Sequence, residues 1–123
     1  MIDDVLVLHD RTVLVCDADG PPIDGVQGAL DVIGQAWGHE ADMVVIPVSR
    51  LDDSFFTLST GVAGDVMQKF ANYQLPLAVI GSIAHQAGAS SALRALVSES
   101  NRGAQVWFLD SLDQLAERLS GSR

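Results

Sequence analysis

Met43-Val44-Val45-Ile46-Pro47 is an unbroken apolar run of strand length, closed by a proline and followed by the polar stretch Ser49 to Ser54. A strand with one face in water alternates apolar and polar residues. A continuous run is the mark of a strand buried on both faces of a parallel sheet. Leu77 to Ile80 repeats the pattern downstream, and Val106 to Leu109 repeats it once more. Between these runs the apolar period changes from two to three and four. Phe56, Thr60, Ala63, Met67 and Phe70 recur at helical spacing, with Val62, Val66 and Tyr73 widening the face. This pattern predicts a helix that begins between Asp53 and Ser59. Ala89 to Ser100 predicts the next helix, carrying Ala92, Leu93, Leu96 and Val97 inward before Gly103 ends it.

Upstream, Val5 to Leu8 and Thr12 to Cys16 are β-rich runs separated by His9-Asp10-Arg11, which reads as an opening hairpin. After the turn-forming Asp17 to Pro22, Asp24 precedes Val26, Ala29, Leu30, Ile33 and Trp37 at helical spacing. A helix over about 24–37 follows, stopped by Gly38, with Trp37 expected in the core. At the other end Ser111 is a natural N-cap for a last helix with Leu112, Leu115, Ala116 and Leu119 on its inner stripe. The order β-β-α-β-α-β-α-β-α predicts an α/β fold with a mixed, mostly parallel sheet joined by right-handed crossovers. The 123 residues suit one domain, with no repeat, low-complexity tract or linker. The loops 17–22, 47–59, 81–88 and 110–111 leave carboxyl ends of strands, where α/β sheets bind ligands.

Charge narrows the function classes. Sixteen acidic against seven basic residues give a net charge of −9, so a phosphate backbone or an anionic membrane surface is repelled. The expectation is a protein partner, with a homo-oligomer compatible with the 48% hydrophobic content, and neither nucleic acid nor membrane. The longest apolar runs fall far short of the roughly 20 residues a membrane helix needs. Asp3 and Asp4 stand where a secretory leader would carry positive charge. A single cysteine, Cys16, allows no internal disulfide and reads as a small core residue. A cytoplasmic location is the expectation.

Four segments carry a resemblance. They are Leu51 to Gly64 (LDDSFFTLSTGVAG), Gln68 to Tyr73 (QKFANY), Ser98 to Gly103 (SESNRG) and Val106-Trp107-Phe108. Together they resemble the bacterial domain-of-unknown-function family 4180, over nearly the whole chain. That family implies a fold and no mechanism. More distantly, the order of elements and the small-residue start at Leu58-Ser59-Thr60-Gly61 are similar to the STAS domains of anti-sigma factor antagonists. Those domains carry Asp-Ser-Ser-Gly at the start of the corresponding helix, and a partner kinase phosphorylates the first Ser. The resemblance assigns that position to Ser59 and its neighbour to Thr60; Leu58 stands where those domains have Asp. It implies a non-enzymatic regulatory module working by protein contact through the Ser54 to Gly64 region, controlled by phosphorylation or a small ligand.

Read for chemistry alone, Ser59, Thr60 and Gly61 are also helix-start residues, in which hydroxyls cap N–H groups and glycines allow close packing. A phosphate on Ser59 would meet Asp52, Asp53 and Asp65, nearby in sequence. A second candidate is Val13 to Gly20, an apolar strand running into Asp17-Ala18-Asp19-Gly20. It is similar to the nucleophile motif of haloacid-dehalogenase-type phosphatases. There the first carboxylate attacks phosphorus and the second serves as acid/base beside Mg²⁺. Asp17 and Asp19 would take these roles, with Ser82 as the phosphate-binding hydroxyl. Pro21 replaces that family's Thr, and Asp and Gly after a strand are ordinary turn residues. His85 with Ser90 or Ser91 could pair a base with a nucleophile, although serines there cap a helix and a loop histidine is ordinarily just solvated. His9, His39 and His85 lack metal-ligand spacing, and no cofactor or metal is expected.

Overall fold

The computed structural model describes residues 4–121. Five strands lie in the order of the chain: β1 (Asp4–Leu8), β2 (Arg11–Val15), β3 (Met43–Pro47), β4 (Leu77–Ile80) and β5 (Val106–Leu109). The β1–β2 pair is antiparallel, and the remaining neighbours are parallel. His9 and Asp10 both take positive φ, 48° and 68°, the two-residue turn whose twist matches a right-handed hairpin.

Strand periodicity sorts the core into two clusters. Leu14, Val44, Ile46, Leu77, Val79, Val106 and Phe108 face one way. Over them pack the helices α1 (Val26–Gly38), α2 (Asp53–Phe56), α3 (Val62–Asn72) and α5 (Ser91–Arg102), through Ala29, Ile33, Phe55, Val66, Phe70 and Leu93. Val13, Met43, Val45, Ala78 and Trp107 face the other way, under Leu115 and Leu119 of α6 (Leu112–Gly121). Strand order equal to chain order is the reason. Successive right-handed crossovers that step in one direction stack their helices on one face, so the chain's last helix is left to close the other. Arg118 of α6 lies 4.4 Å over the Trp107 ring and donates to the Asn101 carbonyl at the end of α5. Among the described residues no helix is long and apolar enough to cross a membrane.

Several expectations change. The helix expected to start between Asp53 and Ser59 is three pieces: α2, a 3-10 turn Leu58–Thr60, and α3 from Val62. Phe56 shares the period of α3 but belongs to α2. The helix α4 (Ala84–Ala89) takes in residues 84–88, expected as loop, and Ala89, expected to open the next helix; α5 instead starts at Ser91, capped by Ser90, whose Oγ accepts from the Leu93 N–H. The N-cap of α1 is Gly25 rather than Asp24. Trp37 is 57% exposed, because the last turn of α1 carries it to an edge of the helix layer, where it meets Tyr73 edge-on at 5.0 Å. Cys16 and Trp107 are buried, and Ser111 Oγ accepts from Gln114 N–H at the start of α6, as the sequence suggests.

Candidate functional site

The connection from β3 to α3 is built from hydroxyls and carboxylates that bond to their own chain. Asp52 Oδ2 accepts from the Ser54 N–H at 3.0 Å and from the Ser54 hydroxyl at 2.6 Å, which starts α2. The Ser54 hydroxyl first, and the Ser54 backbone N–H second, hold the Asp52 carboxyl below the usual carboxylate range. Thr60 Oγ1 lies 2.7 Å from the Ser54 carbonyl and 2.8 Å from the Thr57 carbonyl, and accepts from the Val62 N–H at 3.2 Å. One hydroxyl thus ties α2, the 3-10 turn and α3 together. Gly61 sits at φ +80°, a left-handed conformation that reverses the chain between the turn and α3. Gly64 is exposed, so it does not let the helix press against a strand.

Ser59 differs from these neighbours. It is exposed, and its hydroxyl makes no hydrogen bond among the described residues. It lines a cleft of about 560 Å³ at the carboxyl ends of β3 and β4. One wall is Asp53, Leu58 and Ser59; His85, Gln86 and Ser90 form the other. The three sequence candidates Ser59, His85 and Ser90 therefore meet in one cleft. Ser90 is spent as the cap of α5, and His85 is exposed and not hydrogen-bonded to Ser59. The arrangement can receive a polar group between two walls; it is not an assembled nucleophile and base.

Asp17, Asp19 and Ser82 are not brought together in this way. Asp17 Oδ1 accepts from the Asp19 N–H at 2.8 Å, a tight side-chain turn. Ser82 follows β4 and accepts weakly from the Ala84 N–H at 3.4 Å. With β3 lying between β2 and β4, the two loops start roughly 10 Å apart, at two strand spacings. Among the described residues no group of three or more His, Cys, Asp or Glu is placed to hold a metal ion.

A residue that the sequence reading passed over organises this end of the sheet. Arg50 is buried, and its guanidinium donates from Nε to the Pro21 carbonyl at 2.7 Å and from Nη1 to the Asp17 carbonyl at 2.8 Å. A Cβ on Gly20 would overlap that guanidinium, so a larger residue there must displace Arg50 from its place. Nothing in the sequence separates Arg50 from a solvated loop arginine. The Asp52 cap was passed over as well, although Asp-x-Ser after a strand is a side-chain turn signature that could have found it.

A family model described as a domain of unknown function, DUF4180, matches residues 8–119. The chain belongs to the DUF4180 family. No curated protein and no solved structure matches it. In the DUF4180 domain the four segments that carried the resemblance converge in space. Gly64, Gln68, Ser100, Gly103 and Val106, drawn from all four, line a groove of about 380 Å³ between α3 and α5. This groove is distinct from the Ser59 cleft, and its lining is mainly apolar.

Proposed function

We propose that this chain is a non-enzymatic regulatory module of STAS-like fold that acts by contact with a protein partner through residues 54–64. Phosphorylation of Ser59, or a small polar ligand in the adjoining cleft, controls that contact. The observation that carries the reading is the difference among three hydroxyls. Those of Ser54 and Thr60 hold the backbone in place, while that of Ser59 is exposed and unbonded at the mouth of the cleft. Modification of Ser54 or Thr60 would break the turn, whereas Ser59 can take a phosphate without losing a bond. A phosphate there brings about −1.5 to −2 charges beside Asp53, and so changes the surface a partner meets. The order of elements, and a small-residue turn following β3, support the STAS-like comparison. A kinase-controlled module of this kind works in the bacterial cytoplasm.

Intact-mass analysis of the native protein, with fragmentation to place the phosphate, should find it on Ser59. Ser59→Glu should change the set of proteins retained in a pull-down from the native cell, while Ser59→Ala and Asp17→Asn should leave that set as it is with the unmodified protein. Turnover of p-nitrophenyl phosphate with Mg²⁺ that disappears on Asp17→Asn would overturn the reading in favour of a phosphatase using Asp17, Asp19 and Ser82.

A further inference from the structure

The two edges of the sheet are treated differently. On β5 the outer backbone groups of Phe108 are bonded by one side chain. Asn101 Oδ1 accepts from the Phe108 N–H at 2.7 Å, and Asn101 Nδ2 donates to the Phe108 carbonyl at 3.2 Å. That edge is capped at Phe108. At the other edge, β1 has no such cover among the described residues, and it lacks the lysine, proline or bulge with which edge strands ordinarily discourage pairing.

The register of the hairpin says which groups on β1 are open. A two-residue turn closes on a hydrogen-bonded pair, here Leu8 with Arg11, and such pairs recur at every second residue. Leu8, Leu6 and Asp4 therefore direct their N–H and C=O groups toward β2. Val5 and Val7 direct theirs outward. Their side chains are also exposed, at 42% and 70%, on the face that α1 covers over Leu14 but not over β1. Leu6, on the opposite face, is 37% exposed.

We infer that β1 is the seam of a two-fold dimer, pairing antiparallel with β1 of a second copy so that the two sheets become continuous. The sequence around Leu6 is palindromic, Val5-Leu6-Val7. A two-fold axis at Leu6 sets Val5 of each copy opposite Val7 of the other. Those are the residues with outward N–H and C=O groups, so four backbone hydrogen bonds form. Continuity of the two faces requires an even register. Moving the axis to Val7 would set Asp4 opposite Asp10, two like charges across a strand pair, which is unfavourable. The axis at Leu6 sets Asp4 opposite Leu8. Charge limits where a second copy can dock: a chain of net charge −9 repels its own kind, and Val5 to Leu8 offer a stretch that adds no like charge to the contact. The contact is isologous and closes at two copies, because pairing uses up the open edge of each and Asn101 caps the other edge at Phe108.

Sedimentation equilibrium of the full chain should show a concentration-dependent doubling of mass. Val7→Lys, which places a charge in the seam, and Val5→Pro, which removes an outward donor while sparing the bonds to β2, should both reduce the mass to that of the monomer with unchanged far-ultraviolet circular dichroism. The register has its own test. Leu6 faces its own counterpart at a non-hydrogen-bonded position, where Cα atoms lie about 4.5 Å apart, within disulfide range. Leu6→Cys should therefore yield a disulfide-linked dimer on mild oxidation, and Val7→Cys should yield at least tenfold less. A chain that is monomeric at every concentration overturns the inference, as does a dimer that persists in both seam variants, or equal cross-linking by Leu6→Cys and Val7→Cys.

Discussion

Gly61 holds φ +80° where the Leu58–Thr60 turn passes into α3, and in that conformation a Cβ crowds the following carbonyl. Nothing surrounds the position within 4 Å, so backbone strain alone decides the effect of a side chain. Gly61→Ala should lower unfolding free energy by about 1 kcal/mol, read by urea denaturation, and should loosen the neighbourhood of Ser59. Asp52 makes a pH-dependent contribution. Its carboxyl is held below the ordinary value, so its stabilising effect is fully present above the unfolded pKa of about 3.8 and is lost as pH falls through the lower folded value. Ser54→Ala removes the larger cause, the hydroxyl bond. Carboxyl NMR titration should then show Asp52 titrating closer to an unfolded aspartate. The sequence singled out Ser59, Thr60 and Gly61 as a helix start, and Ser54 with them as part of one interaction region. It could not rank them, because which hydroxyl is bonded and which is free depends on where the 3-10 turn places each oxygen relative to the Ser54 and Thr57 carbonyls.

Elements were legible in proportion to how evenly they are buried. Leu77–Ile80 and Val106–Leu109 match their predicted limits, since a strand covered on both faces is apolar from end to end. The region after β3 was misread because Phe56 falls by chance on the period of α3, masking the Asp52 cap and the Gly61 reversal that divide it. The helix α4 escaped because its sequence, AHQAGA, has small or polar side chains and no apolar stripe. Trp37 obeys the inward spacing of α1, yet spacing carries no information about where the sheet ends beneath a helix. Arg50 shows how one side chain can hold an element boundary. It bonds two carbonyls of the β2–α1 loop, beside a bridge between Ile23 and Leu51. Arg50→Met keeps much of the volume but leaves both carbonyls without their donor. A loss of about 2 kcal/mol is expected, with faster hydrogen exchange in residues 17–23. Arg50→Lys should not restore it, because an ammonium cannot reproduce the fork geometry of a guanidinium.

Across the whole molecule, acid is scarcely compensated. Arg102 pairs with Glu99 at 3.5 Å, but both side chains are exposed, where such a pair contributes little. Self-repulsion at net charge −9 therefore opposes the compact state. Raising NaCl from about 10 mM to about 150 mM, which shortens the screening length from roughly 30 Å to roughly 8 Å, should raise Tm. A Tm that is flat or falls with salt would show that the carboxylates are spaced too widely to repel one another.

The return of α6 across the back of the sheet bears on how the protein is made. On the ribosome each strand emerges after the neighbour it will join, and the helix layer can accumulate unit by unit as residues 4–109 appear. Val13, Met43, Val45, Ala78 and Trp107 are covered in that order of synthesis by nothing until Leu115 and Leu119 arrive. A chain stopped at Asp110 would possess all five strands and still present an apolar sheet face to the solvent, so it should partition into inclusion bodies when expressed. The final turns of α6 are therefore what take this sheet face out of water, and a break in the chain before Leu115 leaves it bare.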